Sequence, residues 1–186
     1  MERSNFSIMR LLISMAVVVA LSMLSASCVG TDFDEEKAKN IVEGKAFRLE
    51  GEQVSLTPDQ VECGVRAELW EPRAETSPGH SSCHLTQQGR DFKFSDDVIT
   101  EPNFRLSYAQ VKGEFALQVF SVVGVKNAPD GMKTGEFKVG AKIHHPCFSG
   151  PLLIMGVKKG VFREDAPVVF RFQLTPDGWA MDQLLH

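Results

Sequence analysis

From Glu114 to Val125 the chain alternates apolar and polar residues, with Phe115, Leu117, Val119, Val123 and Val125 on one side and a break at Ser121. Period two over this length marks a half-buried strand. Asn127-Ala128-Pro129-Asp130-Gly131 follows, a sequence rich in turn formers. Thr134 to His145 then alternates on the way back, with Phe137, Val139, Ala141 and Ile143 inward and Glu136, Lys138 and Lys142 outward. A long hairpin with one dry face commits the fold to an antiparallel sheet and to something that covers that face. Thirteen Phe and two Trp against a single Tyr suit a packed interior more than a Tyr-rich recognition surface.

Other segments fill in around the hairpin. Phe47 and Leu49, Phe92 and Phe94, and Phe104, Leu106 and Tyr108 alternate in shorter runs, and Pro151 to Val157 is apolar throughout. Gly156 and Gly160 are candidates for a bulge. Two helices are expected before the sheet. Thr31 to Gly44 carries an acidic first turn, a cap at Asp32 with Glu35 three residues on, and an apolar face of Ala38, Ile41 and Val42. Thr57-Pro58-Asp59-Gln60 supplies a cap and a proline at the first helical position. Val61, Val65 and Leu69 then recur every four residues up to Pro72. Glu71 to Arg90 is polar and loop-like. The expected fold class is α+β: two short N-terminal helices on a curved, antiparallel sheet of five or six strands. At the C-terminus Val168, Phe170, Phe172 and Leu174 alternate, Thr175-Pro176-Asp177-Gly178 turns the chain, and Trp179 and Met181 return it. This ending resembles the last hairpin of NTF2-like domains, over about 15 residues. The resemblance implies a curved sheet around a small-molecule pocket and carries over no site residue.

The first 28 residues fix the compartment. Arg3 and Arg10 precede an almost wholly apolar run from Leu11 to Leu24, followed by Ser25, Ala26, Ser27 and Cys28. A charged start, a short apolar run and small residues make an export signal, and the run is short of the ~20 residues a membrane span needs. Leu24-Ser25-Ala26-Ser27-Cys28 resembles the lipobox of bacterial lipoproteins. The resemblance implies cleavage before Cys28 and a diacylglyceryl group on its sulfur, with fatty-acyl chains of the palmitate kind holding the domain to a membrane. Val29 after the cysteine resembles the outer-membrane sorting pattern. Ser25 and Ser27 also suit an ordinary signal peptidase, so a secreted or periplasmic soluble form is the alternative. The expected organisation is a signal peptide over 1–27, a lipidated N-terminus and short helix or tether over 28–45, and one domain over 46–186.

Without residues 1–27 the chain has 159 residues, enough for one core, and a net charge of −5. There is no basic patch, which argues against a nucleic-acid partner. Two windows gather most of the metal-binding chemistry: His80-Ser81-Ser82-Cys83-His84 and His144-His145-Pro146-Cys147. Imidazole and thiolate are the preferred zinc donors, and His80, Cys83, His84, His145 and Cys147 could supply four. In an exported chain, however, cysteines pair. Among Cys63, Cys83 and Cys147, a Cys63–Cys83 bond closes about 21 residues and a Cys83–Cys147 bond about 65, worth about 3 and 4 kcal/mol by chain entropy. If Cys28 is lipidated, one of the three remaining thiols is odd. Strand periodicity sends His144 and His145 to opposite faces. A Cys147 nucleophile with His145 as base lacks an orienting acid, and Asp96, Asp97 and Glu101 lack the alternation of a calcium loop. No other catalytic set stands out. The sequence therefore points to a membrane-anchored extracytoplasmic lipoprotein that acts as a binding or envelope-associated module. A zinc-binding protein and an NTF2-like pocket domain are the alternatives.

Overall fold

The computed structural model describes residues 32–43, 45–73, 81–101 and 106–185. The segment 1–27 expected to be an export signal, Cys28 and His80 lie outside the described residues. Helix α1 (Glu35–Val42) is capped by Asp34, whose carboxylate accepts the Lys37 N–H at 2.8 Å. The cap is two residues later than the Asp32 expected from sequence. Ala38, Ile41 and Val42 form its buried face, as the pattern required. Strand β1 (Ala46–Leu56) leads into α2 (Pro58–Arg66), where the Thr57 side chain and Gln60 complete a reciprocal capping box. Short strands β2 (Trp70–Pro72) and β3 (Ser81–Leu85), helix α3 (Gln87–Asp91) and strand β4 (Val98–Glu101) follow. The 22-residue strand β5 (Leu106–Asn127) then turns through Pro129–Gly131 into β6 (Lys133–Ala141). Strands β7 (Leu152–Leu153), β8 (Gly156–Lys158), β9 (Val161–Arg163), β10 (Val168–Thr175) and β11 (Gly178–Leu185) complete the chain.

The expected α+β class is corrected. Among the described residues nine strands form one sheet, β8 and β9 form a separate pair, and every strand pairing is antiparallel. The described helices are short pieces on a β structure rather than a layer. Two physical reasons account for the difference. Helix α2 stops at Arg66 because the chain reverses through Glu68 at φ 57°. Leu69 and Trp70, which extended the period-four face, belong to the turn and to β2. The stretch 71–90 has no alternation, yet it holds β2, β3 and α3, because short strands near a sheet edge need no dry face.

Strand β5 organises the molecule. Its first half pairs with β1, from Leu56↔Ser107 to Ala46↔Ala116, and with β4. Its second half pairs with β6, from Leu117↔Ala141 to Asn127↔Lys133. Strand β6 also carries β10 and, past it, β7. Ile154, just after β7, bridges to Val54 of β1, and the Met155 N–H donates to the Gln53 carbonyl at 2.8 Å. The hydrogen-bonded path β1–β5–β6–β7 thus returns to β1. Trp70, Phe137, Phe170 and Phe172 are fully buried in the core, and the last hairpin, β10–β11, puts Phe170 and Phe172 inward with no exposed surface.

Bulges bend the long strands. In β1 the register slips between Glu50 and Glu52, and the Glu52 carboxylate closes the bulge by accepting the N–H groups of Glu50 and Gly51 at 2.6 and 3.0 Å. In β5 it slips between Val119 and Ser121 and again between Val122 and Gly124. The residues set aside are Phe120 and Val123, and they are 49% and 55% exposed. Val123 is therefore not on the inner face where strict alternation placed it, while Val122 and Val125 pack against the core.

Candidate functional site

Strand β6 ends at Ala141, and Ile143 just beyond it is still buried. The chain then makes a tight corner. The Phe148 N–H donates to the His145 carbonyl at 2.9 Å, and the Cys147 N–H donates to His145 Nδ1 at 3.2 Å. The corner is held from both sides. Cys147 is bonded to Cys63 of α2, with the Cα atoms 5.5 Å apart. The His145 ring lies 4.7 Å from that of Phe92 and 5.7 Å from that of Phe148, which in turn packs on Phe94 and Trp70. Of the cysteines weighed from sequence, the pair that forms is Cys63–Cys147, and Cys83 stays free.

Two clefts open on this corner. One, of about 260 Å³, is lined by Gln118, Phe148 and Pro151; the other, of about 200 Å³, by Asp91, Lys93 and Phe115. Lys142, Ile143 and His144 line both. Lys93 Nζ sits 5.0 Å from the Phe115 ring centre and donates to the Glu114 carbonyl. The combined surface is shallow, with aromatic walls, the cations Lys93 and Lys142, the acid Asp91, and the exposed imidazole of His144. A third, larger groove of about 480 Å³ runs past α1 and is lined by Asp34, Lys37, Ile41, Asp177 and Trp179.

The other His/Cys window lies elsewhere, on β3. There Asp97 is the organising group: its Oδ1 accepts the Leu85 N–H at 2.8 Å and stands 3.1 Å from His84 Nδ1, with Arg73 at 3.9 Å. Burial works against the Asp97 charge, but these donors together hold its carboxyl below the usual range. Burial, and then the Asp97 charge, pushes the Cys83 thiol up. A thiol so placed is a weak nucleophile and a reluctant thiolate ligand. His145 and His144 do point apart: His145 is half-buried in the aromatic cluster and His144 is exposed. Cys147 is committed to its disulfide, and its closest link with His145 runs through the Cys147 N–H rather than through sulfur. Among the described residues, no three of His, Cys, Asp and Glu converge as a metal site would need. Neither Phe92 nor Phe148 stood out in sequence as a partner of His145, because contacts between a loop and a helix end leave no periodic signal. No protein-family model matches this sequence, and no curated protein or solved structure is similar enough to count as a match.

Proposed function

We propose that this chain is a lipid-anchored, extracytoplasmic binding module of a bacterial cell envelope, acylated at Cys28. The observation that carries the reading is the Cys63–Cys147 disulfide. Such bonds persist in oxidising compartments outside the cytoplasm, which is where the leader of residues 1–27 would deliver the chain. The lipobox resemblance at Leu24–Cys28 adds the anchor, and among the described residues no helix is long and apolar enough to cross a membrane. The paired clefts at 142–151 are the surface on which this reading places ligand or partner contact. They combine Lys93, Lys142 and His144 with Phe115, Phe148 and Pro151, so an acidic group attached to a flat apolar body suits them.

Mass spectrometry of the N-terminal peptide from the membrane fraction tests the anchor. Cys28 as the first residue, carrying a diacylglyceryl mass, is the expected result. An unmodified Cys28, or a chain that begins elsewhere, would sink the lipoprotein reading.

A further inference from the structure

The start of the described chain is clamped to the domain. The Phe33 ring centre lies 4.9 Å from that of Phe172 and 4.7 Å from that of Trp179. Beside it, Lys37 Nζ donates to the Asp32 carbonyl at 3.1 Å, and Asp34 caps α1, whose apolar face is buried. Phe33 is five residues beyond Cys28. An extended chain covers at most about 3.6 Å per residue, so the two Cα atoms are no more than about 18 Å apart. Acyl chains on the Cys28 sulfur would place that residue at the edge of the hydrocarbon, beneath a headgroup layer of roughly 5–8 Å. What remains is about 10 Å, the diameter of one helix.

We propose that the face around Phe33 rests on the bilayer surface, in contact with lipid headgroups: the start of α1, the β10–β11 turn at 175–178 and the β5–β6 turn at 128–132. This rests on the acylation of Cys28 proposed above. The two turns share one end of the sheet, because Phe172 pairs with Lys133 and β10 runs on past it to Thr175. An apolar rim lies at the same end. Leu174 is the last residue of the inward series Val168, Phe170, Phe172, and it stands opposite Trp179 in register. Unlike the others it is 49% exposed. Charge does not make the contact: the groove there has Asp34, Glu36 and Asp177 against Lys37 and Lys45. A short tether and an apolar rim hold this face down, so zwitterionic lipid serves as well as anionic lipid.

The test uses the full lipidated protein in phosphatidylcholine vesicles that carry a headgroup nitroxide, and the N-terminal peptide mass is read from the same preparation. Trp179 is expected to be quenched and Trp70, in the core, spared. The unsubstituted protein and Trp70→Phe should then show severalfold greater quenching than Trp179→Phe, unchanged by high salt. An absent acyl mass overturns both the anchor and this orientation. An acyl mass together with equal quenching in Trp70→Phe and Trp179→Phe overturns the orientation alone. Quenching that vanishes at high salt does the same, since it would make the contact electrostatic.

Discussion

Gly64 matters for the side chain it lacks. A Cβ built there would lie 2.1 Å from the Trp70 ring, which is fully buried and fixed by its Nε1–H bond to the Val61 carbonyl at 2.9 Å. Alanine gains about 1 kcal/mol of helix propensity over glycine, but overpacking a fixed core costs more, typically about 1–3 kcal/mol. Gly64→Ala is therefore expected to lower stability on balance. Thermal unfolding should show a fall of a few degrees, and an unchanged or raised Tm would mean that the indole has room to yield. Asp97 gives a pH-dependent counterpart. Its carboxyl is held low in the folded state by the Leu85 N–H, His84 and Arg73, against the opposing effect of burial. A depressed carboxylate stabilises the fold above its unfolded pKa of about 3.9, and that contribution is lost as pH falls through the folded value. Asp97→Asn should be less stable than the parent at neutral pH, with the gap closing below about pH 4. Urea midpoints across that range are the measurement, and a gap independent of pH would contradict the assignment.

At the scale of elements, the Cys63–Cys147 bond ties α2 to the corner after β6 across a sequence separation of 84. Closing so long a loop restricts the unfolded chain by about 4.5 kcal/mol in the chain-entropy account. Cys147→Ser, kept reduced so that Cys63 and Cys83 do not pair, should lose stability of that order in urea and should match the reduced parent. A loss well under 1 kcal/mol would show that packing of Phe148 and His145 alone holds the corner. The sequence made some elements plain and concealed others. The hairpin of β5 and β6 was legible because Phe137, Val139 and Ala141 alternate without interruption. The α2 cap was legible because Thr57, Pro58 and Gln60 act locally. The second half of β5 was not: bulges at Phe120 and Val123 change the inward spacing from two residues to three, and a bulge carries no residue signature of its own. The His/Cys windows drew attention to this corner through zinc chemistry, whereas Cys147 there is joined to Cys63 and His145 packs among aromatic rings. His145 is held there by Phe92 and Phe148, residues brought in by tertiary contact from α3 and the loop.

For the whole molecule, the return of the strand path from β7 to β1 decides the order of assembly. Strand β1 finds its partner in β5 about sixty residues later and, through Val54 and Ile154, is closed only about a hundred residues on. Such distant pairings make folding slow. The free cysteine adds a competition. In the unfolded chain Cys83 is far nearer to Cys63 than Cys147 is, and loop closure favours the shorter loop by about eightfold. A chain left to oxidise by itself therefore reaches the Cys63–Cys83 bond first, and the Cys63–Cys147 bond arises when the Cys147 thiolate attacks Cys63 and releases Cys83. Cys83→Ser removes the competitor. It should reach the Cys63–Cys147 form faster in oxidative refolding, with no gain from added disulfide isomerase, whereas the parent should gain; equal rates for both would exclude the detour. Cys83, half-buried and a weak nucleophile once folded, is thus a hazard confined to oxidative folding, and its presence makes correct pairing in this protein depend on exchange of disulfides as well as on their formation.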